Sequence, residues 1–357
     1  MARSRSGSVG HEAAARTGHT EISWSIVLQA RLREMPPLDE AERRLSEAWP
    51  RDRAGAPPPL EMLPEAVRDD RVRDAADRPY GPDEPLCRVL VFESPAPSVV
   101  IAGHHAILDG LGLVSVLLTF VGQPISTATR GIEPDRPARR GGVAYAIGRL
   151  AEAALHPPDR VAAEPGAGGT GDHLVAAGVS VAVDSASLVA ASVRAVRNRN
   201  RRRGDRGGRL VVAVGASRRA GRSASLDDAP RRSAWFRIRI TDLDPNAIRD
   251  QLRRQPPEPT PVLPALAPAA GWLGRGLASR LGSTLLVSNL GRLEPHGPVT
   301  AAAFYPSAHG RSGLSVGCVT VGETTTVTVR ARRRDYTEQA AADLLADITG
   351  SLASPGT

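Results

Sequence analysis

The stretch that most restricts the fold is PSVVIAGHHAILDGLGLVSVLLTFVG, residues 97–122, whose only ionisable side chains are His104, His105 and Asp109. Its first part, SVVIAGHH (98–105), is rich in β-branched residues and lacks polar alternation, the pattern of a strand covered on both faces. Its last part, GLGLVSVLLTFVG (110–122), is apolar around its whole circumference, so a helix there must also be surrounded. A strand and a helix that both need complete cover require further layers of structure on either side. Burying an imidazole or a carboxylate is costly unless it is hydrogen-bonded or paired. Three such groups at one strand–helix junction make this the candidate site.

The rest of the chain supplies those layers. With 357 residues there is room for one large core or two lobes. ISWSIVLQARL (22–32) reads as a strand, and PPLDEAERRLSEAW as a helix with Asp39 as its cap and Ala41, Leu45 and Trp49 on one face. Residues 51–85, rich in Pro, Arg and Asp, read as loop with one short helix, and LCRVLVFE (86–93) pairs with 98–105 through SPAP. Residues 123–182 read as connectors around the amphipathic VAYAIGRLAEAAL (143–155). A second unit follows, with helix 185–197, an arginine-rich loop (197–208), strands 209–217 and 233–240, and helix 245–254. A proline-rich linker (256–268), helix 271–281, strand 283–291, hairpin 314–333 and helix 337–352 complete it. The expected organisation is a tail over 1–20, a first lobe over 21–160 and a second lobe over 161–357, in the α+β class.

The net charge of +8 invites a nucleic-acid reading, but all 46 basic residues are arginine and none is lysine. That bias, with abundant Ala, Gly and Pro, reflects GC-rich coding rather than a selected basic surface. Four Phe, four Trp and four Tyr are too few for a base-stacking platform. Cys87 and Cys318 are far apart and in no metal spacing, so a reducing cytoplasm is the expected location. The N-terminus lacks the apolar core of a secretory signal, and no apolar run is long enough for a membrane span.

Histidine is the side chain best matched to proton removal near neutral pH. Adjacent residues at a strand exit point in opposite directions, so only one of His104 and His105 faces a given cleft. Asp109 stands where it can cap the next helix or pair with an arginine, and Gly110 and Gly112 permit close approach of another segment. A histidine and an aspartate could also hold a metal, but a third ligand at suitable spacing is missing nearby. Taken singly, each residue has an ordinary structural explanation.

Taken together, HHAILDG (104–110) is His-His-x-x-x-Asp-Gly and resembles the signature of the chloramphenicol acetyltransferase-like acyltransferases. These include condensation domains, wax ester synthases and polyketide-associated acyltransferases. PLCRVLVF, before the motif, is similar to the strand that precedes it in that superfamily. RLVVAVGASRR (209–219), VSNLG (287–291) and the closing hairpin and helix resemble its second lobe, so the likeness runs over about residues 21–352.

The resemblance implies two lobes, mixed sheets with flanking helices and an interlobe tunnel. A thioester on coenzyme A or a phosphopantetheinyl carrier protein would enter from one side, and a hydroxyl or amine acceptor from the other. His105 would be the general base; His104, Asp109 and Gly110 would support its loop; Ser288 and Asn289 would line or support the tunnel. No metal, resident cofactor or nucleic acid is implied, and the setting would be bacterial natural-product or lipid assembly. Two alternatives keep the fold: a His-dependent cyclase or lyase, and a non-catalytic member that binds carrier proteins. Two departures stand out: the chain is shorter than most members, and AWPRDRAG (48–55) replaces a usual first-lobe segment. RNRNRRRGDRGG (197–208), with six arginines, reads as a solvated loop or as a landing site for thioester phosphates.

Overall fold

A computed structural model of the chain describes residues 25–50, 55–81, 84–123, 125–127, 132, 136–141, 143–205, 208–218, 233–259, 282–295, 297–308 and 312–354. The expected tail, the helix at 271–281, Arg206 and most of the linker at 256–268 lie outside these residues.

The first half builds β1 (Ser25–Leu32), α1 (Leu38–Ala48), β2 (Leu60–Pro64), α2 (Arg68–Asp77), β3 (Cys87–Glu93), β4 (Ser98–His104), α3 (Gly110–Val121), β5 (Ile125–Thr127) and α4 (Val143–Leu155). The second half adds β6 (Asp172–Val179), α5 (Ser185–Arg202), β7 (Val211–Ser217), β8 (Ser233–Arg239), α6 (Pro245–Arg254), β9 (Leu285–Pro295) and β10 (Val299–Tyr305). It ends with β11 (Leu314–Val321), β12 (Thr324–Arg332) and α7 (Glu338–Ala353). The first sheet has the order β10-β1-β4-β3-β2 and the second β6-β12-β11-β9-β7-β8, with β5 against β9. Both are mixed, because β2–β3, β9–β11 and β7–β9 run parallel.

Every residue of β4 is buried, as its unbroken apolar pattern requires. Val99 and Ile101 face a core shared with Leu45 of α1 and with Leu113, Val114 and Leu117 of α3. Val100 and Ala102 face the other way, onto Val72, Ala75 and Ala76 of α2. Ten of the twelve α3 residues are buried, which explains a helix with almost no polar face.

Several elements differ from the sequence expectation. Residues 51–85 contain a strand as well as a helix, and the supposed connectors hide β6, whose alternation is blurred by alanine and glycine. Pro37, not Asp39, is the N-cap of α1; Asp39 lies in the first turn. The arginine-rich segment is largely the last turns of α5. There, buried Arg199 pairs with Glu164 at 2.8 Å, Arg202 pairs with Asp347 at 2.6 Å, and Arg203 also pairs with Glu164. Residues 201–205 are exposed, so the segment is solvated as expected, but its first half is helical.

The division at residue 160 is crossed twice. β5, from the first half, pairs with β9, and β10, from the second half, forms the edge of the first sheet beside β1. A third tie is a side chain. Arg330 of β12 has no exposed surface, and its Nε donates to Asp172 Oδ2 at 2.6 Å. Nη1 donates to the carbonyl of Ser25 at 2.7 Å and Nη2 to that of Ala76 at 3.1 Å, with Asp77 Oδ1 at 3.8 Å. Burial, with Asp172 close by, pushes the Asp77 carboxyl above the usual carboxylate range against the pull of Arg330.

Removing one partner of such a cluster leaves the others buried and uncompensated. Arg330→Met is expected to lower unfolding stability by about 3–5 kcal/mol, read from the urea midpoint at unchanged m-value.

His173 of β6 is held below its ordinary 6.5 by burial and by Arg333, against Glu338 and Asp172. The native state therefore binds the proton less readily than the unfolded chain. The stability from this residue is complete above the unfolded value and is lost as pH falls toward the lower folded one. Melting temperatures from about pH 7 to about pH 5 should fall less steeply in His173→Gln than in the wild type.

Candidate active site

The histidine pair sits where β4 runs out between β1 and β3. His104 faces Ser25 across the β1 pairing, and its N–H donates to the Leu86 carbonyl at 2.8 Å. Its carbonyl accepts from Ile107 and Leu108 at 3.0 and 3.1 Å, which folds residues 104–108 into a tight turn. The His104 ring is buried, and its Nδ1 accepts from the Ala106 N–H at 3.1 Å. A ring nitrogen that accepts places the proton of a neutral imidazole on Nε2. Tyr80 meets this ring edge-on, with centroids 5.5 Å apart, and Arg88 lies 4.0 Å over the tyrosine. The Tyr80 hydroxyl accepts from Ser25 Oγ at 3.2 Å, and burial raises the tyrosine's pKa.

His105 points the other way and is exposed. Its Nδ1 stands 3.0 Å from the Leu108 carbonyl, which can only accept, so Nδ1 carries the hydrogen. The lone pair of the neutral ring then lies on Nε2, and the turn sets the tautomer.

Asp109 is buried and is the N-cap of α3, its Oδ1 accepting from Gly112 N–H at 2.7 Å. That amide is thereby engaged, and is removed from the donors the helix start could offer a developing oxyanion. Gly110 is required by packing: a Cβ there would lie 2.5 Å from Leu290 Cδ2 and 3.0 Å from the Phe304 ring. Leu290 belongs to the VSNLG stretch in β9, so the two motifs meet at this glycine.

Ser288 and Asn289 are both half-buried. Asn289 Nδ2 donates to the Val183 carbonyl at 2.9 Å, and its Oδ1 accepts from Gly291 N–H at 2.8 Å. Gly291, with φ of 74°, takes the left-handed conformation, and the β9–β11 register shifts beside it. Asn289 thus shapes a β-bulge, and Ser288 packs toward Gly215 of β7. Asn289 so ties the bulge of β9 to the segment that precedes α5.

A cleft of about 630 Å³ lies between the two sheets, lined by β1, α2, β6, β10 and β12. His104 and His105 are not among its lining residues. What sequence reasoning missed is the cluster behind His104: Tyr80, Arg88, Arg330, Asp172 and Asp77. Tyr80 and Arg88 lie close to the motif in sequence, but nothing in VTVRARR marks Arg330 as buried. Cys87 and Cys318 are buried free thiols, and burial raises the pKa of both. Among the described residues no group of three or more His, Cys, Asp or Glu is placed to hold a metal, and no helix is long and apolar enough to cross a membrane.

The architecture can be set beside known structures. The first condensation domain of the calcium-dependent antibiotic synthetase, in complex with a substrate analogue, superposes with a TM-score of 0.61 at 15% identity, covering 100% of this chain and 98% of that one. The chain has the condensation-domain fold. The starter condensation domain of rhizomide synthetase, in complex with C8-CoA and Leu-SNAC, gives 0.58 at 14% identity over 96% and 92% of the two chains. The epimerization domain of the third module of tyrocidine synthetase B gives 0.51 at 13% identity over 96% and 93%. No protein-family model and no curated protein matches the sequence. The two-lobed α+β expectation therefore holds, with the β5 and β10 exchanges part of it.

Gly110→Ala is expected to cost about 1–3 kcal/mol through overpacking against Leu290 and Phe304. Asp109→Ala is expected to cost about 1 kcal/mol as a lost cap. Chemical denaturation of the two variants beside the wild type checks both.

Proposed function

We propose that the chain is an acyltransferase of the condensation type, moving an acyl group from a thioester to a hydroxyl or amine acceptor with His105 as general base. The observation that carries this reading is the fixed, exposed His105 imidazole, whose Nδ1 is held by Leu108 O and whose Nε2 is left as the basic nitrogen. Nε2 would take the acceptor's proton as its oxygen or nitrogen attacks the thioester carbonyl carbon. As the tetrahedral adduct collapses, the carbon–sulfur bond breaks and the imidazolium returns the proton to the leaving thiolate. No acyl-enzyme is required. A base so placed contributes roughly 100- to 10,000-fold, and holding both reactants in one geometry adds to it.

His104, Asp109 and Gly110 act on this reading by shaping the turn and the helix start. Ser288 and Asn289 support the facing strand. The donor would be acyl-coenzyme A or an acyl carrier protein, and the setting natural-product or lipid assembly in the cytoplasm. Likeness to domains solved with C8-CoA and with substrate analogues supports a thioester donor. Likeness to an epimerization domain supports a second reading, in which the same base takes a proton from carbon in a cyclase- or lyase-type step with no external acceptor. An exposed, oriented base argues against a merely carrier-binding role.

The test is thiol release from a panel of acyl-coenzyme A and acyl-carrier thioesters with mixed alcohols and amines. Wild type is expected to exceed His105→Ala by at least about 100-fold with one donor, while the variant keeps its melting temperature. Equal release by both proteins from every donor overturns the acyltransferase reading. His105-dependent deuterium exchange at carbon would then favour the second.

A further inference from the structure

We infer that Tyr80 is a positioning residue for His105: its ring backs the His104 imidazole and thereby holds the turn that sets which nitrogen of His105 carries the hydrogen. The inference rests on the reading of His105 as the general base. Only one of the two neutral tautomers suits that task. With the hydrogen on Nδ1, the lone pair lies on Nε2; with the hydrogen on Nε2, the lone pair lies against the Leu108 carbonyl, which has no hydrogen to give. The Leu108 carbonyl makes the choice. That carbonyl is placed by the turn in which His104 O accepts from the Ile107 and Leu108 amides. Tyr80 acts on this turn through His104.

The turn has a side-chain brace as well as its backbone bonds. His104 Nδ1 accepts from the Ala106 N–H at 3.1 Å, inside the turn itself. That bond holds only while the ring keeps its rotamer and its hydrogen on Nε2. Tyr80 stands edge-on to the ring, with 5.5 Å between centroids and 74° between planes, a geometry that ring quadrupoles favour. The tyrosine is itself held. Arg88 Cζ lies 4.0 Å over its face. The same guanidinium donates to the Arg78 and Pro79 carbonyls at 2.8 Å and to Glu84 Oε2 at 3.1 Å. Arg88 so fixes the backbone just before Tyr80 as well as its ring. At the far end the Tyr80 hydroxyl accepts from Ser25 Oγ at 3.2 Å, and the Ser25 carbonyl accepts from Arg330 at 2.7 Å. Ser25 is also the register partner of His104. Strand pairing and tyrosine therefore bear on one histidine, the first through its backbone and the second through its ring. A phenyl ring keeps the edge contact and the arginine over its face, whereas an aliphatic side chain keeps neither.

Nitrogen-15 NMR of the histidine-labelled full chain, at a pH where the ring is neutral, reads the tautomer directly; the His105 signals are those missing from His105→Ala. Wild type and Tyr80→Phe should show His105 with its hydrogen on Nδ1, and Tyr80→Leu a mixture of both tautomers. In the thiol-release assay Tyr80→Leu should lose at least about tenfold in kcat at nearly unchanged KM for the thioester, and Tyr80→Phe should recover most of it. Tyr80→Met, which is longer and fills more of the volume, takes the place of the leucine variant if that one does not fold. An unchanged Nδ1–H tautomer in the aliphatic variants overturns the assignment, whatever their activity. So does a tautomer shift that leaves kcat intact, a shift as large in Tyr80→Phe as in Tyr80→Leu, or a wild-type His105 with its hydrogen on Nε2. The NMR readout needs no turnover. If the chain releases no thiol, the acyltransferase reading fails while the tautomers still settle the role of Tyr80.

Discussion

The contact on which the arrangement depends is the guanidinium of Arg330. It leaves β12 in one sheet and ends on the carbonyls of Ser25 in the other and of Ala76 in α2, with Asp172 and Asp77 as its counter-charges. Only arginine offers several N–H donors in one rigid plane and stays charged when buried. Those donors engage backbone carbonyls at the start of β1 and the end of α2. Because Ser25 is the register partner of His104, a second-lobe side chain helps to set the strand pair that carries the candidate base.

The two halves are interlocked. β10 completes the first sheet, β5 adds to the second, and Leu290 and Phe304 close over Gly110. The site follows from that interlocking. A buried strand ends at a turn whose two imidazoles have different tasks: one is locked into the wall by Tyr80 and the Ala106 amide, the other is turned outward by Leu108. The Asp109 carboxylate is committed to the helix start. The Ser-Asn-Leu-Gly stretch meets the motif through its leucine, while its asparagine holds the bulge that brings the leucine there.

Much of this was legible in the residues. The unbroken apolar runs on either side of HHAILDG announced a strand and a helix enclosed on all sides, and both are. The cap at Asp109 and the close approach at Gly110 followed from residue type and position. Less legible were β6, whose small residues weaken its alternation, and the end of α5, where consecutive arginines look like solvated loop. Their ion pairs with Glu164 and Asp347 are long-range, so no local pattern records them.

What the sequence by itself determined is local: which segments must be buried, where a helix starts, and that a histidine pair stands at the exit of a covered strand. Period, propensity and capping act over a few residues, so a chain displays them openly. Tertiary structure alone decided that β10 crosses to the first sheet, that Arg330 is the buried link between lobes, and that Asn289 serves a bulge. Each of these depends on partners tens to hundreds of residues apart, and on charges that can stay buried only after those partners have met.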